Sequence, residues 1–328
     1  MIILGKWNQY RERKRRQRQK EAALIEWIER MVQDSDPAIR KVAGYQRQLQ
    51  KPVENALKHI EGLISLIPGP FSLSAEHWDK DPLIHALFVS PDELRSLLHN
   101  CAELKSFFQE SGADMAVALL TATKKERAIF GTALEGEIVR RDVPQVAVEF
   151  YDHRVVAAVA TEEQNRRQLV HRGLNVIATY ALEEIMQIQS IREDLAAQRH
   201  NLAVQLKIQQ THKRGLERLL TGGTQSHSEA IQAEQVLAEI DKQLMELEPG
   251  SGMPQDFLHK LENVLTAPGN FLTGERIGMR LNWMGVKLEE GSAEDGREIT
   301  LSELEIPGRL KRVALLAQVS TNECLGPL

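Results

Sequence analysis

AIFGTALEGEIVRRDVPQVAVEFYDH, residues 128–153, is where the spacing of apolar residues changes from helical to alternating. Val146, Val148 and Phe150 alternate with Ala147, Glu149 and Tyr151, the pattern of an antiparallel sheet with one buried face. Glu135-Gly136 lies between AIFGTAL and EIVRR, and a glycine there supplies the positive φ that a tight hairpin needs. These features predict a small antiparallel meander over residues 124–160.

Before this stretch the chain reads as helical. Asp36-Pro37 sets a capping carboxylate ahead of a proline at the first helical position. Val53, Leu57, Ile60 and Ile64 follow at helical spacing, with Pro52 expected to divide the segment into two helices. PGPFSLSAEHWDKDP (68–82) reads as a loop. Ser90 and Glu93 suggest a capping box around Pro91, and Leu94, Leu97, Leu98, Cys101 and Leu104 then mark one helical face.

After it, Thr161 and Gln164 suggest another capping box. A long apolar stripe runs through Val170, Leu174, Ile177, Ala181, Ile185, Ile188, Leu195, Leu202 and Leu206 to Leu220. TGGTQSHS interrupts it, and Val236, Ile240, Leu244 and Leu247 mark a second helix. The expectation is an antiparallel hairpin reversing at Gly222-Gly223, with Arg199, Gln209 and Lys213 flawing the seam that a long parallel rod would need. EPGSGMPQ (248–255) reads as a linker. Beyond it, DFLHKLENVL predicts a helix. Ile277, Met279, Leu281 and Trp283 alternate as a strand, and RVALLAQV (312–319) reads as a buried strand.

The predicted fold class is therefore α+β, mainly helical. Its parts are a basic N-terminal arm with an amphipathic helix (1–35), a helical region (36–123), antiparallel strands (124–160), a helical hairpin (161–247), a linker (248–255) and a small α+β module (256–328).

Composition agrees with a folded chain, because 42% of the 328 residues are hydrophobic and 27% charged. The net charge of -5 hides an asymmetry: residues 1–20 hold eight Lys or Arg against one Glu. Two cysteines, Cys101 and Cys324, form neither a disulfide framework nor a clustered zinc pattern, which suggests a reducing compartment. MIILGKW is too short for a signal-peptide core, and no apolar run approaches the roughly 20 residues of a membrane span. The expected location is cytoplasmic.

RERKRRQRQK (11–20) contains no apolar side chain, so a helix there is charged all round. Lys6, Arg11, Arg13, Lys14, Arg15, Arg16, Arg18 and Lys20 form a candidate face for an anionic partner, either nucleic acid or an anionic surface. The plainer alternative is a solvated extension of the next helix, in which Leu24, Trp27, Ile28 and Met31 share a face. No stacking aromatics or nucleic-acid module support the charge.

EFYDHR offers Glu149, Asp152, His153 and Arg154 at a strand end, an acid, a base and a fixed cation that could do acid–base chemistry in a cleft. Strict alternation sets Asp152 and His153 on opposite faces, and a polar strand end with surface ion pairs is the plainer reading. The sequence has no HExxH, His99 and Cys101 stand as an isolated pair, TGGTQS lacks the Walker lysine and PGSG lacks a dinucleotide-fold context. No metal or cofactor is expected. The function expected is a non-catalytic cytoplasmic scaffold or adaptor that binds other macromolecules, chiefly proteins, through the hairpin and the basic arm. The alternatives are a nucleic-acid-associated protein using that arm and an enzyme with a site near Glu149–Arg154.

Overall fold

The computed structural model describes residues 2–135, 138–212, 226–246, 253–289 and 294–326. It shows a mixed α+β fold whose contacts divide the chain into two units, Met1–Glu54 with Ala178–Thr266 and Asn55–Ile177 with Ala267–Leu328.

In the first unit, helix α1 runs unbroken over Ile2–Ser35. Ile28, Met31 and Val32 are fully buried, while Leu24 and Trp27 are half-buried. Asp36 caps a short 3-10 helix, Pro37–Lys41, by accepting from the Ala38 amide at 2.7 Å. Helix α2 starts later, at Tyr45, and continues to Leu66 with Pro52 inside it. The expected division at Pro52 does not occur. Proline removes one intrahelical bond, but Leu49, Val53, Ala56 and Ile60 are fully buried along one face, and that burial holds the helix together. Glu29 knots α1 to the start of α2. It accepts from the Tyr45 hydroxyl, from Gln46 Nε2 at 2.6 Å and from Arg40 Nε at 3.1 Å. The Tyr45 bond leads the causes that hold the Glu29 carboxyl below its ordinary pKa.

Helix α6 covers Glu162–His212, α7 covers Ser226–Glu246 and α8 covers Pro254–Thr266. Arg199 Nε meets Asp241 Oδ1 at 2.6 Å between α6 and α7. Gly222-Gly223 lies outside the described residues, as does 248–252 of the expected linker, while Pro254 and Gln255 belong to α8. Phe257, Leu258, Leu261, Val264 and Leu265 are the buried stripe that the sequence places in this helix.

The second unit is built on one sheet. Its strands are β1 (Phe71–Ser72), β2 (Met115–Glu135), β3 (Ile138–Val159), β4 (Thr273–Leu281), β5 (Val286–Lys287), β6 (Arg297–Ile306) and β7 (Leu310–Ser320). Their order is β1-β7-β2-β3-β5-β4-β6, and β6 also pairs with β7, which closes β2 to β7 into a ring. Closure leaves fewer open edges than a flat sheet of that size. Inside and against it pack Phe88, Leu94, Leu98, Leu104, Leu120, Phe150, Leu301 and Leu315.

Three expectations are corrected here. The meander over 124–160 is one long hairpin, and β2 begins at Met115, inside the region read as helical. The strands assigned to a separate module at 256–328 belong to the same sheet, with β7 running antiparallel beside β2 from Met115↔Ser320 to Ala122↔Val313. Trp283 falls in the turn after β4 and is 77% exposed, because Asn282 closes that turn by accepting from the Met284 and Val286 amides at 3.0 Å.

Helices α3 (Pro82–Leu87), α4 (Pro91–Asn100) and α5 (Ala102–Ser111) cover one side of β3. Asp81 caps α3 within the stretch read as a loop, accepting from Leu83 at 2.8 Å. Ser90 accepts from the Glu93 amide at 3.2 Å, and the Glu93 carboxylate accepts in turn from the Val89 amide at 2.9 Å. The helical face expected through Leu104 breaks at Cys101, whose ψ of 106° is extended. A five-residue helix, α9 (Thr321–Leu325), ends the described chain.

Candidate functional site

The long hairpin has a feature that decides how the EFYDHR residues are displayed. Its register shifts between Val117 and Leu119, Thr121 and Thr123, and Gly131 and Ala133, each time with one extra residue on β3. These are β-bulges, and each carries a non-glycine residue at positive φ: Ala157 at 60°, Asp152 at 52° and Asp142 at 59°. At the middle bulge the alternation resets. Phe150 points inward, Tyr151 and Asp152 are exposed, and the next inward side chain is His153.

Arg312 on β7 fixes that bulge. Its Nη1 meets Asp152 Oδ2 at 2.6 Å, an Nη2–H donates to the Asp152 carbonyl, and Nε donates to Thr121 Oγ1 at 3.2 Å. The Arg312 bond leads the causes that hold Asp152 below the ordinary carboxylate range. Arg154 also pairs with Asp152, at 3.3 Å, and is exposed. Glu149 faces elsewhere along the strand, with both oxygens on Arg127 Nη2 at 2.6 and 2.7 Å. His153 lies inside with its side chain 5% exposed, stacked on Phe88 with ring centroids 4.5 Å apart and with Nδ1 3.4 Å from Glu93 Oε1. Burial lowers its pKa most, and the Glu93 charge opposes that shift.

The four candidate residues are therefore not gathered around one cleft. Asp152 and Arg154 form a surface ion-pair chain, Glu149 a separate pair, and His153 a buried packing element. The buried bulge, at Ala157, is clamped from both sides, a constellation the sequence reading missed. Glu103 Oε2 accepts from the Ala157 amide at 2.6 Å and Asn165 Nδ2 donates to the Ala157 carbonyl at 2.6 Å.

Two further polar groups stand apart from these. Glu303, 5% exposed, holds Lys311 at 2.6 Å and Lys124 at 3.0 Å beside a hollow of about 190 Å³ lined by Thr273, Gly274, Glu275 and Glu305. Burial works to raise its pKa, but the bonds from Lys311 and Lys124 outweigh it and the net shift is downward. His99 and Cys101 are both tied to backbone carbonyls, His99 Nδ1 to Cys324 at 2.6 Å and Cys101 Sγ to Val155 at 3.4 Å. Among the described residues no group of three or more His, Cys, Asp or Glu is placed to hold a metal ion. TGGTQS up to Gln225 and PGSG lie outside the described residues.

The basic run forms part of α1. Lys14, Arg15, Arg18 and Lys20 are exposed, and the side chains of Lys6, Arg11, Arg13 and Arg16 lie outside the described residues. At about 100° per residue, Lys14, Arg15, Arg18 and Ala22 share one stripe of α1. With Gln19 they line an open concavity of about 430 Å³. Among the described residues a single helix face lines it, an arrangement that can accept an extended anionic surface. Comparison with protein-family models, curated proteins and solved structures finds no match. No helix among the described residues is long and apolar enough to cross a membrane.

Proposed function

We propose that the protein is a non-catalytic cytoplasmic scaffold or adaptor that binds a macromolecular partner, chiefly protein, through α6 and α7 and through the basic face of α1. The observation that carries this reading is the run of exposed apolar side chains along the two helices. Met186, Ile191, Val204 and Ile208 on α6, and Val236 and Met245 on α7, are each at least 41% exposed. Repeated exposed apolar side chains on long helices fit docking to another helix or groove. In this proposal α6 and α7 are an antiparallel hairpin. The Arg199–Asp241 pair and the burial of Leu206 and Ile240 support that arrangement.

The basic stripe adds a charged contact at Lys14, Arg15 and Arg18 and favours a partner carrying carboxylates or phosphates. A nucleic-acid partner is the second reading, favoured by the same exposed stripe.

Replacing Ile191, Val204 and Ile208 together with Gln tests the helical part of the proposal. Partner capture from a lysate of the native host should fall at least about tenfold, since exposed apolar anchors carry much of an interface's affinity. Thermal stability should stay close to wild type, because the three side chains are already about half exposed and Gln suits a helix better than Ile or Val. Undiminished capture would refute the docking role of α6.

A further inference from the structure

The β2–β3 hairpin outruns the rest of its sheet. Strand β7 leaves β2 at Ala122, and β5 meets β3 only at Val146 and Ala147. From Ile129↔Gln145 to Glu135↔Ile138 the two strands pair with each other, and no third strand joins them among the described residues. A two-stranded ribbon alone is marginal in water, and an open strand edge is a template for another strand.

The two outer edges of this ribbon differ. The β3 edge carries Arg140, Arg141, the bulge at Asp142 and Pro144, all features that block strand addition. The β2 edge over residues 128–134 has no charge and no proline, and the extra residue of every bulge lies on β3. Ala128 and Phe130 are exposed there, Phe130 to 77%.

The sequence of the unprotected edge is also self-complementary. Antiparallel pairing with an identical strand about Gly131 sets Arg127 opposite Glu135 at both ends and leaves AIFGTAL paired with itself between them. Opposite charges directly across a strand pair stabilise it, whereas like charges oppose it. The centre falls on a glycine, so no side chain crowds the axis. We propose that the β2 edge over residues 128–134 pairs antiparallel with the same edge of a second copy of this chain, about a two-fold axis at Gly131. The contact is isologous, as closed dimers require. It joins two ribbons into a four-stranded sheet.

Sedimentation velocity over a concentration series reaching about 1 mM tests this, since so small an interface gives a weak dimer. Wild type should dimerise, and Glu135→Arg should raise the dissociation constant about tenfold or more by facing arginine with arginine. Glu135→Arg also leaves the Arg127–Glu149 pair of the same chain in place. Combining it with Arg127→Glu and Glu149→Arg should restore dimerisation to within about threefold of wild type, because the swap recreates the opposite-charge pair in this register alone and keeps an opposite-charge pair between positions 127 and 149 of each chain. Wild type that stays monomeric throughout, or a dimer indifferent to Glu135→Arg, would overturn the proposal. So would a triple variant no tighter than Glu135→Arg alone.

Discussion

Phe88→Ala should destabilise the second unit by about 3–5 kcal/mol, the range for removing a large aromatic from a packed core. Phe88 is fully buried at the end of α3 and stacks on His153, and its carbonyl accepts from Trp78 Nε1 at 2.8 Å. The loss should depend on pH in a definite direction. In the wild type, burial keeps the folded-state pKa of His153 below its ordinary value, with the Glu93 carboxylate opposing that shift. A depressed histidine pKa gives stability that is present above the unfolded value and lost as pH falls through the folded one, because the unfolded chain takes the proton first. The groups facing the ring are Glu93 on α4, Asp152 on β3 and Arg312 on β7. Phe88→Ala opens the ring to water and moves its pKa back toward the ordinary value. The deficit relative to wild type should therefore be largest near neutral pH and narrow toward about pH 5. Urea unfolding at several pH values reads this directly, and a deficit constant with pH would show that His153 is not titrating in its buried site.

Gly69→Ala should cost about 3 kcal/mol or more. Gly69 has φ +110°, a conformation that side-chain-bearing residues rarely adopt, and a Cβ there would fall on the Leu316 carbonyl oxygen of β7. That oxygen is backbone and cannot rotate away. The neighbouring contacts fix the segment further, with the Leu316 amide on the Pro68 carbonyl at 2.8 Å and Phe71 opposite Ala317. Gly278→Ala is the control. Gly278 has ordinary φ and nothing within 4 Å of the added carbon, so its unfolding midpoint should shift little. Similar losses at both sites would show that strand propensity, not the close approach, governs Gly69.

Much of the helical part was legible because caps and apolar spacing are local signals. Ser90, Thr161 and Asp36 each accept the amide bond that their position implies. The strands were harder to read for physical reasons. Ala116 to Leu120 is a continuous apolar run, buried between β3 and β7, and such a run has no alternation to separate it from helix. Strand β6 buries Ser302 and Glu303 on its two opposite faces, where their partners are the Leu66 carbonyl, Lys124 and Lys311, so neither face looks wholly apolar. The bulges explain the candidate site. Alternation alone places Asp152 inward with Phe150, but a left-handed Asp152 tied to Arg312 turns outward and sends His153 in. Aspartate tolerates that conformation better than most residues, which makes Asp142 and Asp152 the one local hint available.

The most direct test of the proposed partner-binding role combines capture and melting for Lys14→Gln/Arg15→Gln/Arg18→Gln/Lys20→Gln against wild type at matched salt. All four side chains are exposed on a helix anchored by Ile28, Met31 and Val32, so the melting temperature should be unchanged. Capture of the native-host partner should fall, and wild-type capture should itself weaken as salt rises, most steeply for a nucleic acid. An unchanged set of partners together with a lower melting temperature would contradict the account and make the basic run a structural part of α1.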